Sequence, residues 1–287
     1  MRLVTSTVLA GSALFAHGVA LAEGVAGKPV DGGHHFQRAV TPVMEDIVWL
    51  DNFLHVIIGI IVVFVMALMA MVILKFSRKA NPEASTVTHN TTLEVAWTLT
   101  PVLILIIIAI PSLKLLFLQL EVPEPDLTIK VTGNQWYWSY EYPDEGIEFD
   151  AFMLGASQSN MNDEVRGELE EYGYTEDEWL LATDERVVVP VNANIHVLVT
   201  ASDVIHAWTI PSFGSKIDAM PGRINETWFR AEEVGVYFGQ CSELCGKDHS
   251  YMPIVVEVMS QDDYDTWVLE MAANQSDEPK TQVAAAE

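Results

Sequence analysis

Cysteine is nearly absent from this 287-residue chain, which holds only Cys241 and Cys245. One pair cannot build the multi-bridge framework of a disulfide-stapled secreted domain. No cysteine follows the N-terminal apolar run, so a lipoprotein anchor has no attachment point there. No Cys-x-x-Cys-His occurs, which excludes a haem attached through that motif. Basic residues are scarce too: 15 Lys+Arg face 40 Asp+Glu. Such a surface repels nucleic acid and anionic lipid headgroups and attracts basic partners. No internal repeat is present.

What the chain has in abundance is apolar length, concentrated in its first half. Residues 1–22 read as a cleaved secretory signal: Arg2, an apolar run over 3–15, then Ala20-Leu21-Ala22 as a small-x-small site before Glu23. The run is short for a bilayer span and rich in small residues. Cleavage removes one basic and no acidic residue, leaving 14 Lys+Arg against 40 Asp+Glu, a net charge of −26. Two later stretches, about 53–76 and 95–118, are each long enough to cross a bilayer core of about 30 Å at about 1.5 Å per residue. The loop between them carries Lys75, Arg78 and Lys79 against Glu83 alone. Positive loops stay in the cytoplasm, so the mature N-terminus and everything after the second span face the other side. A secretory signal demands the same topology. Lys114, near the outer end of the second span, can snorkel to the interface.

Composition changes at about residue 121. Val122-Pro123-Glu124-Pro125 reads as a linker into an exported domain over 121–273. Short β-rich runs recur at 127–132, 135–142, 186–191, 195–200, 227–230, 236–239 and 254–259, the spacing of a sandwich or barrel. An acidic insertion at about 155–180 is expected to hold a short helix. A terminal helix is expected at 262–271, and 274–287 reads as a polar tail.

The richest segment is Cys241-Ser-Glu-Leu-Cys245-Gly-Lys-Asp-His249-Ser-Tyr-Met252. Two thiols, an imidazole and a thioether in twelve residues are the ligand vocabulary of copper electron-transfer sites. The plainest alternative is a disulfide, which a four-residue spacing permits. The bends at Gly239, Gly246 and Pro253, and His206 waiting in another apolar run, favour metal. Structural zinc uses tighter paired spacings and has no use for Met252. A blue-copper site needs one Cys and leaves the second surplus. Two thiolates bridging two copper ions, each completed by one His and one weaker ligand, use every candidate.

This motif, with the upstream Val204-Ile-His-Ala-Trp208, resembles subunit II of cytochrome c oxidase, and the likeness covers nearly the whole mature chain. The resemblance implies two transmembrane helices followed by a cupredoxin-like Greek-key sandwich. It implies a dinuclear copper A centre with Cys241 and Cys245 bridging. His206, His249, Met252 and the backbone carbonyl of Glu243 would be terminal ligands. It also implies a magnesium ion shared between the Glu243 side chain and subunit I, sound chemistry for an oxygen donor and a hard cation.

Gln135-Trp-Tyr-Trp-Ser-Tyr-Glu-Tyr142 reads as a strand with Trp136, Trp138, Tyr140 and Tyr142 on one face, the ordinary pattern of a core. The family makes Trp136 the point where electrons arrive from cytochrome c, a choice over Trp138 that sequence alone does not make. Asp203, Asp144, Glu145 and Glu148 are candidate docking acids for the lysines of the donor, with salt-sensitive encounter rates as the consequence. Glu94 opens the second span. It can serve the helix dipole or, as the resemblance implies, mark the mouth of a proton channel into subunit I. Lys216, Asp218 and Arg223 resemble a segment at the subunit I interface and could equally form a plain surface loop.

The expected protein is the electron-input subunit of an aa3-type haem–copper oxidase in a bacterial inner membrane, its copper domain in the periplasm. Its partners would be subunits I and III, a separate c-type cytochrome and the lipid bilayer, with no nucleic acid. Oxygen reduction and proton pumping would belong to the complex. A quinol-oxidase subunit II would share the architecture but lack the copper ligands. A membrane-tethered copper carrier would need neither the Trp136 motif nor an acidic face.

Overall fold

The structure is a computed structural model describing residues 27–83, 85–155 and 160–277; the expected signal peptide lies outside these residues, as does the tail from residue 278. Helix α1 (Pro42–Lys75) and helix α2 (Thr91–Leu120) are both long and apolar enough to cross a membrane, with mean hydropathies of 3.3 and 2.6 over their most apolar windows. Their starts are set locally. The Thr41 hydroxyl accepts from Met44 N, and Pro42 sits where its missing N–H costs nothing. The Asn90 side chain accepts from Leu93 N in the same way. Both helices begin before the apolar stretches read from sequence, because their polar first turns are capped rather than broken.

After the linker the described residues form ten strands. One sheet has the order β3 (Ile147–Ala151), β2 (Tyr137–Tyr142), β1 (Leu127–Asn134), β5 (Ile195–Ala201), β8 (Asn225–Phe229). A second has the order β4 (Val187–Pro190), β10 (Pro253–Met259), β9 (Gly235–Gln240). β6 (His206–Ile210) and β7 (Ser215–Ala219) form a separate ribbon. Pairing is mixed: β1 runs parallel to β5 and β10 to β4, while the other pairs are antiparallel. The alternating burial of β1, β2 and β5 turns one face of the large sheet into a core with Trp138, Tyr140, Val131, Val199 and Trp208. Two apolar helices followed by this β domain match the cupredoxin-like architecture expected.

Three strands escaped the sequence reading. β3 and β7 interleave charges with apolar residues, and β6 ends directly against Pro211. Trp136 corrects another expectation. Asn134 pairs with Tyr137, so Gln135 and Trp136 form a hairpin turn, and the buried face of β2 is Trp138, Tyr140 and Tyr142 without Trp136. The acidic insertion holds helix α3 (Asp163–Glu171) and a single 3₁₀ turn, with a small core of Leu154, Val165, Leu169 and Tyr174 on Phe238 and Val255. Helix α4 (Gln261–Asp277) runs longer than the terminal helix read from sequence.

The β domain rests on the start of α1 and the end of α2. Trp228 of β8 donates to Leu118 O and packs with Val43 and Leu115. The Thr41 hydroxyl donates to Phe213 O.

Candidate metal centre

The ligand loop 241–252 is the connection between antiparallel β9 and β10, so both its ends are held by a ladder. Ser242 N donates to Ala207 O, which pins the loop to β6, the strand that His206 opens. His206 reaches the loop because Gly133 of β1 leaves room: a Cβ there would stand 2.9 Å from the imidazole.

The donors converge on one buried point. His206, Cys241 and Cys245 offer ligand atoms all within 4.8 Å of one another. The two cysteines are free, their sulfurs 3.9 Å apart, so the disulfide alternative is not taken up. Cys241 Sγ lies 3.9 Å from His206 Nδ1 and 3.3 Å from Glu243 O. Cys245 Sγ lies 3.5 Å from His249 Nδ1 and 3.5 Å from Met252 Sδ. Each sulfur is thus flanked by one imidazole and one weak donor. His206, Cys241, Cys245 and Met252 are buried, and a buried set of soft donors gathered around a common gap suits copper. The thiols are unequal. Burial opposes ionisation of Cys241, but its polar contacts, led by the one it shares with His206, outweigh it and lower its pKa. Burial and the neighbouring Cys241 charge raise that of Cys245. A bound metal ion would supply the positive charge that favours both thiolates.

Trp136 sits beside this cluster. Its ring packs close to Gly246, where a Cβ would stand 2.9 Å from the ring and where φ is +130°. Lys247 Nζ stands 4.7 Å above the ring centre. Asp203 touches the cluster as well, accepting from His206 Nε2 at 2.8 Å. Burial disfavours its charge, but the bonds from His206, Val204 N and Gln135 N prevail and hold its carboxyl below the usual range. The Glu243 side chain is exposed beside the loop.

Other candidates are not brought to this site. Asp144 and Glu145 form the β2–β3 turn, at the opposite end of β2 from Trp136, a strand of six residues or about 20 Å at about 3.3 Å per residue. Glu145 Oε1 accepts from Tyr264 there. Glu148 pairs in register with Glu141, in the half of β3 nearer that turn. Glu94 is half-buried in the first turn of α2, at the end of the helical hairpin away from the β domain. Lys216, Asp218 and Arg223 line an open concavity together with Asn225.

The sequence reading missed Gln135, whose side chain donates to Cys245 O at 2.6 Å. It also missed Asp150 and Asp184, acids nearer the Trp136 turn. Asp150 pairs with Ser139, two residues along β2 from that turn, and its charge helps to raise the pKa of Asp184, an effect led by burial. Counting strand register from Trp136 would have found Asp150. Nothing in the sequence singled out Gln135.

The comparisons with known proteins identify the family. The family described as cytochrome c oxidase subunit II, periplasmic domain, matches residues 127–259, and the transmembrane domain of the same subunit matches residues 29–115. The chain is 49% identical over 276 residues to cytochrome c oxidase subunit 2 of Cereibacter sphaeroides, covering 92% of this chain and 91% of that one. It is 45% identical over 244 residues to the probable cytochrome c oxidase subunit 2 of Rickettsia felis, covering 85% and 73%. The crystal structure of the periplasmic domain of subunit II of cytochrome oxidase from Bradyrhizobium japonicum aligns at 49% identity and a TM-score of 0.45, over 54% of this chain and 99% of that one. Two apolar helices, a mixed β domain and a buried thiol–imidazole cluster, matched along nearly the whole chain, make this protein a member of the cytochrome c oxidase subunit II family, a subunit of an oxidoreductase complex.

Proposed function

We propose that this chain is the electron-input subunit of an aa3-type haem–copper oxidase. It would take electrons singly from a c-type cytochrome and pass them to haem in subunit I, where oxygen is reduced and protons are pumped. The observation that carries this reading is the donor set. Two free buried thiols, each flanked by one imidazole and one weak donor, suit a pair of copper ions bridged by Cys241 and Cys245. His206, His249, Met252 and Glu243 O would complete it. When bound, the pair supplies a one-electron store shared between two metals.

The protein's own residues have distinct tasks in this reading. The β9–β10 ladder holds the ligand loop, and burial of four of the side-chain donors excludes water. Trp136, resting on Gly246, offers an aromatic path from the surface to the loop. Asp203 contributes negative charge to the surface that meets the donor. Asp144, Glu145 and Glu148 fit a different patch, at the far end of the domain. The exposed Glu243 carboxylate would offer an oxygen donor to a magnesium ion shared with subunit I. Glu94 would stand at the cytoplasmic mouth of a proton path. In this topology residues 1–22 are removed as a signal, α1 and α2 span a bacterial inner membrane, and the β domain lies in the periplasm beside subunits I and III.

A membrane-tethered copper carrier is the rival that shares the ligands. Metal analysis and electron paramagnetic resonance of the purified full-length protein separate the two. Two coppers per chain with the multi-line hyperfine pattern of a delocalised pair support the proposal. Zinc, or a single copper per chain, would overturn it.

A further inference from the structure

We propose that Asp203 and Gln135 form a positioning bracket that ties the turn bearing Trp136 to both sides of the ligand set, a role separate from docking; the inference rests on the copper reading above. Four hydrogen bonds carry it. Asp203 Oδ1 accepts from His206 Nε2 at 2.8 Å and from Val204 N at 2.6 Å. Its other oxygen, Oδ2, accepts from Gln135 N at 2.7 Å. The Gln135 side chain then donates to Cys245 O at 2.6 Å. One bracket arm therefore ends on the imidazole beside Cys241, and the other ends on the backbone of Cys245.

Each bond has a consequence. An ionised carboxylate only accepts, so Asp203 places the imidazole hydrogen of His206 on Nε2. That leaves Nδ1, the nitrogen facing Cys241 Sγ, with a bare lone pair for metal. An acid that served only to meet a partner would turn its oxygens to solvent, whereas both oxygens of Asp203 are engaged within the domain. Trp136 needs such support. Its indole Nε1 is buried and has no hydrogen-bond partner, so apart from the Lys247 ammonium over its face no polar contact of its own fixes the ring. The ring is oriented by the Gly246 backbone beneath it and by the bracketed turn that carries it. The bracket thus sets two things together: the donor strength of one ligand and the seat of the aromatic ring.

The test uses full-length, copper-loaded protein in detergent, with wild type alongside. Asp203→Asn is expected to shift the near-infrared band and the hyperfine pattern. It should raise the reduction potential, because the imidazole becomes less electron-rich and one negative charge is gone. Copper should also be released to a chelator about 10-fold more readily. Asp203→Glu keeps the charge but moves the carboxylate; the bracket predicts a changed spectrum, a docking acid an unchanged one. Gln135→Leu leaves every charge in place. It should slow electron transfer within the preformed cytochrome c complex while leaving the salt dependence of encounter as in wild type. The proposal is overturned if Asp203→Asn and Asp203→Glu keep the wild-type spectrum, potential and copper retention, or if Gln135→Leu transfers electrons within the complex at the wild-type rate. Failure of the underlying copper reading would look different: wild type itself would lack the two-copper spectrum.

Discussion

The β domain and the helical hairpin draw on the same apolar alphabet and use it in opposite ways. In the β domain, Val131, Val199 and Trp138 are fully buried. On the helices, Ile60 and Leu105 are each 65% exposed, and their neighbours are similar. A soluble protein does not leave two such continuous apolar surfaces uncovered. The domain makes its own apolar environment, while the hairpin borrows one from lipid and neighbouring chains. The difference also explains where chemistry can be built. A self-made core can hold a buried metal cluster with fixed donors, whereas the hairpin supplies depth and anchorage.

The comparison can be broken at several points. The largest expected effect lies in the domain interior. Cys241→Ser should abolish the two-copper spectrum and bring cytochrome c oxidation to background, with both helices still inserted; metal analysis and turnover check this. Survival of a two-copper spectrum would disprove bridging by Cys241.

Next come paired charge insertions. Val199→Lys places an unpaired cation in the core and should unfold the β domain, as read by thermal unfolding. Ile60→Lys should cost membrane insertion about 3 kcal/mol while leaving the domain's melting unchanged. If Ile60→Lys melted the domain equally, the two regions would not be independent environments.

Gly246→Ala is a smaller perturbation. Its Cβ would meet the Trp136 ring at 2.9 Å, and its backbone conformation disfavours a side chain. Electron input from cytochrome c should slow several-fold with both coppers retained, a result stopped-flow reduction would detect. Smallest at the copper end is Glu94→Ala, at the distal end of the hairpin. It should slow proton-coupled haem reduction and leave the copper spectrum unchanged; wild-type haem kinetics would remove Glu94 from the proton path.

Much of this was legible in the chain. Apolar runs without charge write helices α1 and α2 directly, because backbone satisfaction in lipid leaves few alternatives. The loop 241–252 is readable because its ligands are close in sequence and chemically unusual. The misses have physical causes. β3 and β7 are only five residues long, and the charges at their exposed positions leave too short an alternation to stand out beside β1 and β5. Trp136 looked like a strand residue because the tight turn at Gln135-Trp136 uses neither glycine nor asparagine, the common signals of such turns. Asp144 and Glu145 group with Asp203 as docking acids in the sequence because they follow Trp136 by only a few residues. An extended strand carries them to the other end of the domain.

The sequence by itself determined the membrane hairpin, the β-rich class of the domain and five of the candidate metal donors, since these follow from local hydrophobicity and from soft donors concentrated in a short segment, with His206 in a second apolar run. Only the tertiary structure decided that His206 meets the loop from another strand, that Trp136 rests on Gly246, and that Asp203 and Gln135 join them. Those contacts link residues far apart in the chain, and strand pairing, rather than any local preference, brings them within hydrogen-bonding distance.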